Sequence, residues 1–402
     1  MRQILLLSVL LLGGLAPAFG LKPVTVAQLE EMLAGSHDQS DAKLASELTQ
    51  CELTERVSDA RLAHWEADFQ GARTREALTE LADASSFEDL PGADLPADAA
   101  PDRERERQML SRVIDYAAKV IPTLPDFMAT RETIHFEDSP PREHIEASGA
   151  GTGADYHTMR TENFSTAMTK YEPLHVTGKF SFPVTYRDGK EVDDLPGRKK
   201  AKREDVRAIG LTTSGEFGPI LSVVLNDAFR SHMQWGYWER GSSAAAAGGL
   251  VAVYRYQVPQ AQSHYLLEFF SGAEPMRVYP AYRGEIAIDP ATGSVLRLTL
   301  TTELTAPFAM TFAAVRVDYG PVVIGDRTYI CPVKGVALSR MPEDTSGWSG
   351  SGLKPPLETR LNDVTFTNYH RFRADVRIIG APGGMPGGTP GAAGGEEKAA
   401  PH

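Results

Sequence analysis

The chain has 402 residues, with 53 acidic side chains and 41 Lys or Arg, so its formal net charge is −12. Hydrophobic residues make up 42% of it and charged residues 23%, which is typical of a globular protein and excludes a disordered or collagen-like chain. The acidic balance disfavours binding to nucleic acid or to anionic lipid surfaces, because both require a basic face. A single core stops growing near about 250–300 residues, so the length predicts two folded units.

Residues 1–20 have the features of a secretory signal peptide. Arg2 places a positive charge at the start, and residues 4–15 form an almost unbroken apolar run that is followed by small residues. The run is shorter than the roughly 20 apolar residues that a membrane-spanning helix needs. The sequence therefore predicts a leader cleaved after Ala18 or Gly20, no transmembrane segment in the mature protein, and a periplasmic or secreted location.

A helical N-terminal region is predicted over residues 21–88, with four short amphipathic helices. Thr25 and Gln28 fit a capping box at the start of the first helix. The second helix is predicted to begin after Ser40 and to extend through Cys51. Each helix carries one apolar stripe, so the four stripes are expected to be buried against one another.

The rest of the chain divides into a linker, a β-rich domain and a tail. Residues 89–101 are rich in Pro and small residues, which predicts a linker. Residues 102–379 are predicted to form a long helix, ending before Pro122, and then an antiparallel β domain. Residues 380–402 are rich in Gly and Pro and are expected to be disordered, because they have too few apolar side chains to bury.

From about residue 130 the hydrophobic period changes from 3.6 to 2, which predicts β-strands. The clearest example is Leu174–Tyr186, where apolar and polar side chains alternate along the whole segment. Residues 282–289 and 295–304 flank a tight Asp-Pro-x-Thr-Gly turn and are predicted to form a hairpin. The apolar helix predicted at 219–229 is expected to lie across the sheet. The predicted fold class is α+β, with a helical N-terminal region, a large curved antiparallel sheet resembling a half-barrel, and an internal covering helix.

Four segments carry a resemblance to known proteins: Leu124–Phe127, residues 282–298, residues 317–320 and residues 362–372. They resemble a group of uncharacterised exported bacterial proteins in which a β-rich C-terminal half follows a Leu-Pro-x-Phe element. The order of strands and turns is also similar to the LolA/RseB class of periplasmic lipoprotein-binding half-barrels. That similarity implies an unclosed barrel around a hydrophobic cavity that takes acyl chains, with a lipid or a lipoprotein as partner.

Five apolar residues are candidates for the lining of such a cavity. They come from the alternating strand, the covering helix and two further strands, and they are Phe180, Phe182, Leu225, Trp235 and Leu298. The alternative is that these side chains simply pack into a solid core, because apolar area left exposed on this scale costs roughly 25 cal/mol per Å². The sequence leaves both alternatives open.

Cys51 and Cys331 are the only cysteines, so a single internal disulfide is conceivable in an exported protein. Such a bridge would connect the helical region with the β domain. The alternative is that both are small buried hydrophobic residues.

No motif assigns a reaction to the chain. It has no His-Glu-x-x-His and no Cys-x-x-Cys sequence, so no zinc site, catalytic residue or cofactor is predicted. The preferred hypothesis is an exported, non-catalytic binding protein that holds an apolar or lipidated ligand on the concave face of the sheet. The alternatives are an envelope scaffold that contacts another envelope protein, and a hydrolase without a familiar motif.

Expression in a bacterial host with a functioning secretion pathway tests the predicted leader. We expect the intact mass of the exported protein to begin at Phe19 or Leu21, because cleavage follows Ala18 or Gly20. A Leu10→Arg variant, which interrupts the apolar run, is expected to keep its leader. A normally exported protein whose mass still includes Met1 would contradict the prediction.

Overall fold

A computed structural model describes residues 20–119, 121–140, 143–147, 164–168, 170–192, 219–241, 249–271, 274–305, 308, 310–342 and 356–371. The predicted leader up to residue 19, the end of the predicted β domain at 372–379 and the tail at 380–402 lie outside these residues. All described residues belong to one compact unit.

The N-terminal region contains the four expected helices: α1 (Val26–Ala34), α2 (Asp41–Leu48), α3 (Asp59–Asp68) and α4 (Ala72–Ala84). The predicted capping box is present at α1. The Gln28 amide donates to the Thr25 hydroxyl over 3.2 Å, and the Thr25 amide donates to Gln28 Oε1 over 2.9 Å. The apolar stripes of all four helices meet in one cluster, which includes Leu29, Leu48 and Trp65.

A short parallel strand pair, β1 (Lys22–Val24) and β2 (Cys51–Leu53), connects the start of this region with the segment between α2 and α3. The prediction that the second helix extends through Cys51 is therefore wrong. The helix ends at Leu48, and Cys51 begins a strand. Strands of three residues are too short to produce a readable alternation, so the sequence pattern did not reveal them.

Residues 89–101 are held against both the helical region and the sheet. Asp94 accepts two hydrogen bonds from Arg61 over 2.8 and 2.5 Å, and the Ala99 carbonyl accepts one from the Trp238 indole over 2.8 Å. The long helix that follows, α5, spans Arg103–Lys119.

The remaining elements, in chain order, are β3 (Phe127–Ser139), β4 (Glu143–Ala147), β5 (Phe164–Met168), β6 (Glu172–Arg187), β7 (Lys190–Val192), α6 (Pro219–Arg230), β8 (His232–Arg240), β9 (Leu250–Val258), β10 (Leu267–Ser271), β11 (Glu274–Val278), β12 (Tyr282–Ile288), β13 (Val295–Glu303), β14 (Phe312–Ile324), β15 (Arg327–Pro342) and β16 (Leu357–Arg371).

Ten strands form one curved, open antiparallel sheet in the order β7-β6-β3-β16-β15-β14-β13-β12-β9-β8. The predicted α+β class is confirmed, and so is the β12–β13 hairpin. The last described strand, β16, lies inside the sheet between β3 and β15. Two separate hairpins, β4–β5 and β10–β11, lie beside it. The polar composition of residues 139–163 predicts a loop, and β4 corrects that prediction because it falls within this segment. Ile145 is the only large apolar residue of β4, so no alternation was visible there.

The two faces of the sheet are covered differently. Helices α5 and α6 cover one face, here called the α6 face, with Met109, Val113 and Val224 packed into the largest apolar cluster. The opposite face, here called the α4 face, contacts the N-terminal helical region. Apolar contacts there include Phe87 against the cluster that contains Phe312. The sheet is therefore the middle layer of three.

Gly293 ends the β12–β13 turn directly beneath α5, and we predict that Gly293→Ala destabilises the protein strongly. Its φ is +77°, and an added Cβ would lie 2.5 Å from the Arg112 carbonyl oxygen. We expect Gly189→Ala, the matched control, to cost only about 1–2 kcal/mol. Gly189 has nearly the same φ of +76° but open space around it. Chemical denaturation of both variants measures the difference, and equal losses would contradict the predicted contact with α5.

Candidate functional site

A cavity of about 500 Å³ lies between helices α3 and α4 and the α4 face of the sheet. Part of its wall is apolar and comes from both sides, with Val57, Ala60, Leu62, Ala63 and Ala82 from the helical region and Val251, Ala287, Leu296, Tyr319 and Val333 from the sheet. The rest of the lining is charged. Acidic residues contribute Asp59, Glu66, Asp83, Glu239 and Asp318, and basic residues contribute Arg240, Arg297, Arg316 and Lys334.

The sheet places its charged residues in a row of alternating sign across neighbouring strands. Arg297 on β13 is directly opposite Asp318 on β14, and Asp318 is directly opposite Lys334 on β15. Directly opposed side chains on antiparallel strands are close neighbours, so opposite charges in this register are favourable. Because side chains alternate along each strand, the charged residues of this row point to the α4 face. Their neighbours in the chain, such as Leu298, point to the α6 face.

At one end of the row, Glu239 lies between two guanidinium groups. Arg297 donates to its two carboxylate oxygens over 3.0 and 2.5 Å, and Arg56 donates to the same oxygens over 3.3 and 3.2 Å. Burial by itself would raise the pKa of Glu239, but Arg297 and Arg56 outweigh it and hold the pKa at about 2. Glu239 is therefore a carboxylate at any ordinary pH, and the triad joins the helical region to the sheet.

In the middle of the row, Arg316 forms a second buried ionic contact between the two layers. It donates to both carboxylate oxygens of Asp318 over 2.8 and 3.0 Å, and it reaches Asp59 of α3 over 3.0 Å. It also donates to the Ser86 hydroxyl at the end of the helical region over 3.4 Å.

At the other end, Lys334 lies between Asp83 of α4, 2.6 Å away, and Asp363 of β16, 3.6 Å away. Burial raises the pKa of Asp83 to about 7, although Lys334 acts in the opposite direction. Glu80, one turn earlier on α4, is also buried, and its burial together with the charge of Asp83 raises its pKa to about 8. Helix α4 therefore carries two buried carboxyl groups that are costly to ionise, and of these Asp83 lines the cavity.

Two polar atoms of the lining have no hydrogen-bond partner within the described part of the chain. They are Arg297 Nε and Asp83 Oδ2. Arg297 is 6% exposed and Asp83 is 2% exposed, so bulk water compensates neither atom. A buried polar group without a partner costs roughly 1–3 kcal/mol, and because neither atom has accessible surface, both lie behind the wall of the cavity and do not face its open space.

Of the five residues predicted to line an apolar cavity, three lie together on the α6 face. Leu225 and Leu298 are 4% and 0% exposed in the cluster beneath α6, and Trp235 packs against the same cluster. The Trp235 ring stands edge-on to Trp238 at 4.8 Å and to Tyr254 at 5.6 Å between ring centroids. These contacts fit the packed-core alternative.

The other two predicted residues, Phe180 and Phe182, lie elsewhere. Both are on β6 and half-buried, with their rings stacked 6.2 Å apart. Four strands separate β6 from β13, which carries Leu298. The sheet therefore does not bring the five residues together.

Cys51 and Cys331 are both free and buried, and they belong to different apolar clusters. The disulfide considered from the sequence is thus absent from the structure. Burial raises the pKa of the Cys331 thiol to about 12 and also raises that of Cys51. Both behave as the small hydrophobic side chains of the alternative interpretation.

Comparison of the chain with known protein families, curated proteins and solved structures found no match. The resemblance to exported half-barrel proteins stays a prediction. Among the described residues, no helix combines the length and apolar character needed to cross a bilayer. The same residues contain no group of three or more His, Cys, Asp or Glu side chains that could hold a metal ion.

Sequence reasoning missed the charged residues of the cavity, although a signal was present. Arg297 lies within the apolar run Val295–Leu298, and Arg316 lies between Val315 and Val317. When a charged residue in a strand has apolar neighbours, alternation alone places its side chain on the solvent-facing side of the sheet. Only the packing of the helical region over this face makes these side chains buried.

Replacing Glu80 by Gln is expected to stabilise the protein at neutral and alkaline pH. The folded-state pKa of Glu80 is about 8, above its ordinary value of 4.5. The folded protein therefore holds this proton more tightly than the unfolded chain, and stability is lost as pH rises from 4.5 towards 8. Because Gln carries no charge, we expect Glu80→Gln to gain about 2 kcal/mol or more at pH 8 and less than about 1 kcal/mol at pH 5.

Urea unfolding at the two pH values measures this difference. Glu76→Gln is the matched control, since Glu76 lies one turn earlier on α4 with an exposed side chain beside Lys179. A gain for Glu80→Gln that does not change with pH would contradict the assignment of a buried ionisable group.

Proposed function

We propose that this protein is a non-catalytic binding protein that holds a small organic ligand in the cavity between α3, α4 and the α4 face of the sheet. The observation that carries the proposal is the cavity itself, with its mixed apolar and charged lining. Ligand sites are typically concave, about 300–1,000 Å³ in volume, and largely apolar with a few well-placed polar groups. The volume of about 500 Å³ lies in this range.

The polar groups of the lining support a binding role because the structure maintains them at a cost. Arg297 and Arg316 are buried and Lys334 is partly buried, and each is compensated by at least one carboxylate from the sheet or from the helical region. Buried ion pairs of this kind are often no more stabilising than apolar residues of the same volume. Stability alone does not explain why a row of such ion pairs lies beside an open cavity. Recognition of a ligand explains this position better.

The proposed ligand position differs from the one that the sequence suggested. On the α6 face, Leu225 and Leu298 are enclosed by side chains of α5, α6 and the sheet, so an acyl chain would have to displace the core. We also propose that binding takes place outside the cytoplasm, on the basis of residues 1–20. The mass measurement on the exported protein tests that part of the proposal.

Filling the cavity is expected to abolish ligand binding. Ala60 is an exposed residue of α3 that lines the cavity, so Ala60→Trp would occupy space at its entrance without disturbing the core. The matched control is Ala67→Trp. Ala67 is also exposed, two turns further along the same side of α3, and it is not part of the lining.

A thermal-shift screen with amino acids, short peptides, sugars and nucleosides provides the measurement. We expect at least one compound to raise the melting temperature of the wild type and of Ala67→Trp but not that of Ala60→Trp. The proposal fails when no compound binds, or when every compound that binds shifts all three proteins equally.

A further inference from the structure

Glu66 of α3 differs from the other acidic residues of the cavity lining, because it has no basic partner. The other four each form an ion pair with a lysine or an arginine, and they are Asp59, Asp83, Glu239 and Asp318. The only hydrogen bond that a described residue donates to Glu66 comes from the neutral Thr79 hydroxyl, over 3.2 Å. Glu66 is therefore the carboxylate of the lining that can accept a charge from outside the protein.

Helix α3 presents Glu66 to the cavity. Asp59, Ala63 and Glu66 follow one another at intervals of four and three residues, so they lie on one face of the helix, and all three line the cavity. The hydrogen bond to Thr79, which belongs to α4, places Glu66 Oε1 between the two helices. Because Glu66 is only half-buried, its other oxygen, Oε2, keeps accessible surface, and no described residue donates a hydrogen bond to it. A donor on a ligand in the cavity can therefore approach Oε2.

The basic residues of the lining do not compensate Glu66. Three of the four are already paired with other carboxylates, and they are Arg297, Arg316 and Lys334. The fourth, Arg240, is exposed at the end of β8. Side chains alternate along a strand, so Arg240 points away from the α4 face, to which the preceding residue Glu239 points. The cavity therefore has an excess of negative charge, which favours a cation and disfavours an anion.

We propose that the ligand is a small organic amine with an apolar body, and that its ammonium group binds the Glu66 carboxylate. This inference rests on the proposed function and specifies its ligand class. An ammonium group carries hydrogen-bond donors and no acceptor, so it both satisfies Oε2 and compensates the charge of Glu66. Leu62 and Ala63, on the same helix, belong to the apolar part of the wall and are suited to contact the hydrocarbon part of the ligand.

Titration calorimetry at low ionic strength with hexylamine, hexanol and hexanoate tests the charge of the ligand. We expect hexylamine to bind the wild type at least about fivefold more tightly than hexanol, because only the amine forms a charge-assisted hydrogen bond. Hexanoate is expected to bind most weakly, since Glu66 repels it. Butylamine is expected to bind more weakly than hexylamine by about fourfold per methylene removed. Equal affinity for hexylamine and hexanol, or tighter binding of hexanoate, would overturn the inference.

Two variants assign the ammonium group to Glu66. Glu66→Gln keeps an acceptor for Thr79 but removes the charge, so we expect hexylamine to bind at least about fivefold more weakly and hexanol to bind as before. Glu66→Lys is expected to reverse the preference, so that hexanoate binds more tightly than hexylamine. Asp68→Asn is the matched control, because Asp68 is an exposed residue of the same helix outside the lining. An equal loss of hexylamine and hexanol in Glu66→Gln would contradict the assignment.

Failure of this inference can be separated from failure of the proposed function. When hexylamine does not bind but a compound of the screen does, and Ala60→Trp blocks that compound, the cavity is a ligand site and the amine assignment is wrong. When neither an amine nor any other compound binds in an Ala60-dependent way, both proposals are wrong. Because the three hexyl compounds are compared on the wild-type protein, the inference stays testable even where a variant of Glu66 fails to fold.

Discussion

The buried contact of Glu239 with Arg56 and Arg297 is the interaction on which the arrangement of the layers depends. Glu239 and Arg297 belong to the sheet, whereas Arg56 precedes α3 in the helical region. Removing one member would leave a buried charge without compensation, which typically costs about 3–5 kcal/mol. The paired hydrogen bonds of Arg297 and Arg56 to both oxygens of Glu239 restrict the geometry of approach more strongly than apolar contacts do. Together with the contacts of Arg316 to Asp59 and of Lys334 to Asp83, the triad holds the helical region against the sheet beside the cavity.

The contrast between the two faces of the sheet explains why the cavity is on the α4 face. On the α6 face, Leu, Val, Ile and Tyr side chains interdigitate, because nothing but volume limits how closely they approach. On the α4 face, Arg316 and Lys334 must keep their carboxylates at hydrogen-bonding distance. Side chains that are held in ion pairs cannot also fill every gap between a helix and a curved sheet. Space is therefore left beside them.

The fold was largely predictable from the sequence, because its elements leave local signals. Alternation marked the strand at Leu174–Tyr186, the Asp-Pro-x-Thr-Gly turn marked the β12–β13 hairpin, and the capping box marked the start of α1. The site was not predictable in the same way. Whether Arg297 faces water or a second layer depends on where α3 and α4 lie, and no pattern within one strand contains that information. The apolar residues chosen instead, such as Leu298, were strong signals of burial, but burial alone does not distinguish a core from a cavity.

The position of β16 has a consequence for how the molecule is made. This strand ends at Arg371 and lies between β3, which begins at Phe127, and β15. Until the ribosome has added β16, the strands β3, β6 and β7 have no neighbour that links them to the other half of the sheet. A nascent chain thus lacks the strand that joins the two parts of its sheet until β16 has been synthesised, and pairing over such a long sequence separation is slow once it becomes available. The two parts of the sheet on either side of β16 consequently join late in folding.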